Sequence, residues 1–287
     1  MGEPQHRTAI ITDSTSDVPA EMIAHYGLLV APQYVIWGTE EFLDRVTITP
    51  QAFYERLAKD PIHPKTSQPT AKDFIKLIDQ AKAAGAQEAI AITISHQLSG
   101  TVQSASQAAQ EVDLPLHVVD SLSVSMGLGW QVIAAARARE AGGDAAAIMA
   151  ATEAVRKTLQ VMFVVDTLEY LHKGGRIGGA ARLVGTALQL KPALYVDHTT
   201  GRIEPGERTR TMKKAVEKMV ETVFEKLGGG KLHVAVQHVA AQAEAEALAA
   251  RIRDEYNPVE MVIGDASIAI GVHAGPGTFG ICAYREI

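Results

Sequence analysis

The sequence predicts an α/β protein: an N-terminal Rossmann-like domain built on a parallel sheet, followed by a C-terminal α+β domain. Two observations carry this. In the first half, short apolar runs alternate with helical patterns, the signature of a parallel sheet covered on both faces. In the second half, hairpin signals and longer helices replace that regular alternation. A chain of 287 residues has ample material for two ordinary domains.

Buried strands are expected at Thr8 to Thr12, Tyr34 to Trp37, Ala89 to Ile94 and His117 to Val119. Helices are expected at Pro50 to Lys59, Thr70 to Ala84, Thr101 to Val112 and Met126 to Glu140. Thr70-Ala71-Lys72-Asp73 has the form of a capping box, which puts Thr66 to Pro69 in the loop just before that helix. Gly142-Gly143-Asp144 introduces a further helix to Lys157, and a strand follows at Val161 to Val165. Beyond it come a glycine-rich turn at Lys173 to Gly179 and a hairpin around Asp197 to Gly201. A helix from Thr209 to Lys226 and strands at Leu232 to Val236, Glu260 to Ile263 and around Cys282 complete the pattern. The expected division is 1–158 and 159–287.

Composition narrows the function classes. With 27 basic and 33 acidic side chains the net charge is −6, which speaks against nonspecific nucleic-acid binding. The single cysteine excludes an internal disulfide and a multi-cysteine metal site, and its strand-like setting reads as a buried structural thiol. No run approaches the roughly 18 apolar residues of a transmembrane helix, and Met1 to Arg7 does not read as a secretory signal. A cytoplasmic protein without a transmembrane segment is expected.

Two segments place small hydroxyl residues where a loop enters a helix: Thr66-Ser67-Gln68-Pro69 and Leu98-Ser99-Gly100-Thr101. Helix entrances present unpaired N–H groups and a positive dipole end, so two facing one pocket suit a carboxylate or a phosphate. Ser99 reads equally as a helix N-cap and Thr66 as a turn hydroxyl, roles compatible with binding an anion. Asp13, Ser14 and Asp120-Ser121 follow strands in the same manner and are secondary candidates; the Asp13 loop reads as a pocket rim, a helix cap or a metal ligand, with capping or rim packing the simpler readings.

Enzyme motifs are weak. Ser99 lacks a Gly-x-Ser-x-Gly setting, and Gly228-Gly229-Gly230-Lys231 lacks the first glycine and the hydroxyl of a phosphate loop, so it reads as a helix stop. His233 and His238 fall on opposite faces of a strand, and no His-Glu-x-x-His run exists, so no metal and no cofactor are expected. The basic residues from Arg202 to Lys218 alternate with glutamates and read as a solvated face or a docking patch for an acidic partner.

Five ordered motifs carry a family resemblance. Ile11 to Asp17, Lys65 to Pro69, Leu98 to Thr101, Lys173-Gly174-Gly175-Arg176-Ile177-Gly178 and Gly271 to Gly277 resemble, in that order, the DegV family of bacterial fatty-acid-binding proteins. The resemblance implies a noncatalytic carrier that presents an acyl chain to a separate ATP-dependent kinase for conversion to acyl phosphate. It implies that Thr66, Ser99 and His273 hold the carboxylate, with backbone donors from Gly100 and Thr101, and it brings the Asp13 loop near the ligand. Arg176, and with it Arg208 and Arg210, would dock the kinase. Readings from other classes are a small-molecule phosphotransferase subunit, which would turn over ATP alone, and a serine hydrolase, which would be labelled covalently at Ser99.

Overall fold

The computed structural model describes residues 7–183, 191 and 193–287. Most of the polar start, Met1 to His6, lies outside the described residues. Through residue 140 the strands are β1 (Thr8–Asp13), β2 (Leu29–Ala31), β3 (Tyr34–Trp37), β4 (Glu40–Leu43), β5 (Lys65–Ser67), β6 (Glu88–Thr93) and β7 (Leu116–Asp120). The helices of this part are α1 (Ala20–His25), α2 (Pro50–Leu57), α3 (Ala71–Ala83), α4 (Thr101–Glu111) and α5 (Met126–Glu140). Then follow α6 (Ala145–Thr158), β8 (Gln160–Val164), α7 (Glu169–Lys173), β9 (Ala193–Asp197), β10 (Arg202–Pro205) and α8 (Met212–Leu227). The chain continues through β11 (Leu232–Val239), α9 (Gln242–Tyr256), β12 (Glu260–Asp265), α10 (Ile268–Ala274) and β13 (Thr278–Arg285).

A parallel sheet ordered β2-β1-β6-β7 forms the expected Rossmann-like layer. Ile10, Ile90 and Ile92 on one face and Ile11, Ala89 and Ala91 on the other are buried, as a sheet covered on both sides requires. The strand Tyr34 to Trp37 does not join it. It is the centre of a separate antiparallel sheet ordered β4-β3-β5, in which Thr66 pairs with Val35. Thr66 is therefore in a strand and not in the loop expected before α3. The capping box itself is present: Thr70 Oγ1 accepts from the Asp73 N–H and Asp73 accepts from the Thr70 N–H.

The remaining strands form a mixed sheet ordered β10-β9-β8-β13-β11-β12, antiparallel except for β11 with β12. Helix α8 covers one face, burying Met219, Val223 and Phe224 against Val234, Val236 and Ile281. Helix α5 lies between the two large sheets, and its core takes in Ile90 from one and Cys282 and Tyr284 from the other. Eleven of its residues are buried, since it meets protein on nearly every side. Gly127 is obligatory here: a Cβ would clash with Ser123 and with Val161 of β8.

Candidate functional site

The carboxyl ends of β1 and β6, the face of the mixed sheet and one side of α10 enclose a cavity of ≈950 Å³, its open mouth included. Ala266, Ala269, Ile270, His273 and Ala274 line one wall along α10 at helical spacing. Val161, Phe163, Gly280 and Cys282 form the floor on the mixed sheet, and Ile94, Leu98 and Val124 form the opposite side. Thr66, Gln68, Ser99, Arg176 and His273 supply polar groups.

Two buried carboxylates fix the start of α10. Asp17 accepts from the Ser267 N–H at 2.7 Å and Asp44 from the Ile268 N–H at 3.1 Å, while Ser267 Oγ caps the Ile270 N–H. Burial pushes Asp17 up to about 7 against the opposing pull of Arg45. At the far end of the helix, His273 Nε2 stands 2.7 Å from Thr66 Oγ1. Burial first, and the Arg176 charge second, lower the His273 pKa to about 4, so the ring is neutral at physiological pH. Gly174 packs against the ring; a Cβ there would stand 3.0 Å from His273 Cε1 and closer still to Nδ1.

Ser99 is not the N-cap of α4. Gly100 occupies that position without a side-chain cap, leaving Ser99 Oγ 2.9 Å from Thr101 Oγ1. The buried Gln33 amide donates to Thr101 Oγ1 at 3.1 Å and to Asp13 at 3.2 Å. Either hydroxyl can donate in this contact, and when Thr101 donates, the Ser99 proton is left for the cavity. Gln68 lies over Gly100, where a Cβ would meet its Nε2 at 3.0 Å, so the two hydroxyl segments are in mutual contact.

Thr66, Ser99 and His273 thus line one cavity, whereas Gly100 and Thr101 support its wall from behind. Asp13, Ser14 and Ser121 are buried outside the lining. Asp13 accepts from the Thr15 and Ile94 N–H groups and caps the short 3-10 turn Ser14–Ser16. Ser14 donates to Asp44. Ser121 bonds the Ser123 backbone. Arg176 lines the cavity, half-buried, and donates to the Leu98 and Gly174 carbonyls. Arg208 and Arg210 are exposed in the segment before α8. Gln33 escapes a reading of the sequence because nothing in Ala31-Pro32-Gln33-Tyr34 marks it. Among the described residues no group of three or more His, Cys, Asp or Glu side chains is arranged to hold a metal ion, and no helix is long and apolar enough to cross a membrane.

Comparison with known proteins agrees with this architecture. The model of a family described as "Uncharacterised protein, DegV family" matches residues 7–286. A DegV domain-containing protein of Streptomyces coelicolor is 36% identical over 275 residues, 95% of this chain and 96% of its own. A fatty acid-binding protein of Thermotoga maritima is 32% identical, covering 96% of each chain. A fatty-acid-binding DegV family protein from Thermus thermophilus superposes with a TM-score of 0.91 at 34% identity, over 97% of this chain and 99% of the other. Matched from end to end in sequence and in fold, the chain belongs to the DegV family.

Proposed function

We propose that this chain binds a long-chain fatty acid and presents its carboxylate to a separate ATP-dependent kinase that forms the acyl phosphate. The observation that carries the binding reading is the pairing of an apolar cavity with two hydroxyls, each in hydrogen-bond contact with a polar group behind it. Ser99 is backed by Thr101 and Gln33. Thr66 is backed by His273, whose buried Nδ1 has no partner among the described residues. A neutral ring that carries its proton on Nε2 donates to Thr66 and leaves the Thr66 hydroxyl proton for the ligand.

Hydroxyl donors of this kind orient a carboxylate without neutralising it, which suits a group that must attack a phosphate. The acyl chain supplies most of the affinity, at about 0.8 kcal/mol per buried methylene. Residues 1–158 would contribute the carboxylate loops, and residues 159–287 would close the tunnel and, through Arg208 and Arg210, face the kinase. Arg176 belongs with the ligand as much as with the partner. A hydrolase is disfavoured because His273 Nε2 is engaged with Thr66 while Ser99 pairs with Thr101, so the imidazole does not serve as a base on the serine. A nucleotide site is disfavoured because Gly228 to Lys231 only joins α8 to β11.

Mass spectrometry of an organic extract of gently purified protein tests the reading. About one fatty acid per chain is expected, because an open apolar tunnel is costly in water. Protein repeatedly free of lipid and unable to take it up would overturn binding, and ATP turnover by this chain alone would overturn the carrier role.

A further inference from the structure

One polar side chain in the cavity is left unexplained by carboxylate binding. Gln237 stands in β11 with a glycine beside it on each neighbouring strand, pairing with Gly264 of β12 and Gly280 of β13. The amide lies toward Gly264, where a Cβ would stand 3.5 Å from Oε1 and 3.7 Å from Nε2. By strand alternation Gln237 shares its face with Ala235 and Val239. That face is turned toward α5 and the cavity, and Gln237, Val239, Gly280 and Cys282 all line it.

The residue is only 5% exposed, yet neither Oε1 nor Nε2 has a hydrogen-bond partner among the described residues. Its polar neighbours in the lining are engaged: Ser125 donates to Asp17, Thr278 to the Ala274 carbonyl and Thr15 to Asp13. A buried amide with donor and acceptor both unpaired costs free energy until a partner arrives. Glycines on both sides and the sheet beneath leave the cavity as the direction from which that partner comes.

Location defines what the partner is. Gly264 lies two residues before Ala266, whose N–H bonds the His238 carbonyl at the start of the α10 wall, whereas His273 is at its other end. Gln237 stands on the mixed-sheet wall, whereas Thr66 comes from the three-stranded sheet and Ser99 from the loop after β6, so its amide meets the ligand on a different wall from the two hydroxyls. We infer that Gln237 selects an acyl chain bearing a hydrogen-bonding group near its middle, a hydroxylated fatty acid above all. The hydroxyl donates to Oε1 and accepts from Nε2.

This inference rests on the fatty-acid reading above, and the experiment separates the two. Delipidated full-length protein is titrated with stearate and with hydroxystearates bearing the hydroxyl mid-chain, beside the carboxylate or near the methyl end. Wild type should favour the mid-chain isomer over the other two isomers. Gln237→Leu should shift the ratio of mid-chain hydroxystearate to stearate affinity about tenfold towards stearate, the equivalent of one buried hydrogen bond. Gln237→Met, which keeps length and loses the amide, should do the same and serves if the leucine variant folds poorly. An unchanged ratio in both variants, or no dependence on hydroxyl position in wild type, overturns the role of Gln237 while leaving fatty-acid binding intact. Failure of wild type to bind any of the four acids overturns both.

Discussion

Replacing Gly174 by alanine tests whether the imidazole must stand where it does. Gly174 has φ −76° and ψ −11°, a conformation alanine adopts without strain, so the substitution acts only through its new methyl group. That methyl would lie 3.0 Å from His273 Cε1 and 3.1 Å from the Tyr170 carbonyl, and nearer to Nδ1. To regain an ordinary carbon contact of roughly 3.5 Å, the ring must retreat by at least about half an ångström. The 2.7 Å contact with Thr66 cannot survive this without Thr66 following, and Thr66 is held in β5 by its pairing with Val35. We expect about 1–3 kcal/mol of overpacking strain and a loss of fatty-acid affinity of about tenfold, from one misdirected hydrogen bond. Gly175→Ala is the control: Gly175 has φ +71° and no atom within 4 Å of the place a methyl would take, so the variant should lose about 1 kcal/mol of stability through backbone strain and keep its affinity. Calorimetric titration of fatty acid, with thermal unfolding in parallel, reads both quantities. Gly174→Ala binding as tightly as wild type would refute the claim that Thr66 is oriented through His273.

Thr66→Ala and Ser99→Ala should each weaken fatty-acid binding by about 1–3 kcal/mol, the range for a hydrogen bond to a charged group; equal retention by both would put the carboxylate elsewhere. His273 and His198 are both held down to about 4 by burial, below the unfolded value of 6.5. Between those pH values the unfolded chain binds the proton first, so these two groups make stability fall as pH drops through that window. Asp17, raised to about 7, acts in the opposite sense. The His273 ring resonance followed by NMR isolates its own contribution, and a midpoint near 6.5 in the ligand-free protein would contradict its burial. Arg208→Ala with Arg210→Ala should leave lipid binding intact and slow acyl-phosphate formation with added kinase and ATP, and high salt should slow wild type in the same direction. Arg176→Ala, by contrast, should lower lipid affinity too; normal transfer by the double variant would remove the docking assignment.

Much of the fold is legible because its long elements repeat a strong pattern. Helix α5 begins and ends at the residues the sequence suggests, and the Thr70 capping box marks α3 through a local interaction. Apart from the fifteen-residue α9, which the sequence reading does not pick out, what escapes is short or set by distant partners. Strands β2 and β5 are three residues each, too brief for alternation to register, and α10 is seven residues bounded by Gly275. Thr66 reads as a loop residue because its strand pairing depends on Val35, which no local pattern announces. The site shows the same division. Thr66, Ser99 and His273 stand out through motif order, whereas Gln33 and Gln237 are single glutamines whose meaning lies in what surrounds them. Arg176 carries only the docking role that the resemblance implies, because a glycine-rich turn does not disclose that it also lines the cavity.

The position of α5 between the two large sheets bears on how a ligand enters. Trp130 Nε1 donates to the Cys282 carbonyl at 2.9 Å, and Arg137 is paired with Glu260 at 2.8 Å, so one helix is fastened to the mixed sheet while its other side fills the core of the parallel sheet. A clamshell motion that parted the sheets would strip that helix of cover and break these bonds together, at a cost comparable to unfolding a large part of the core. On the fatty-acid reading, a ligand therefore enters and leaves while α5 holds the two large sheets together.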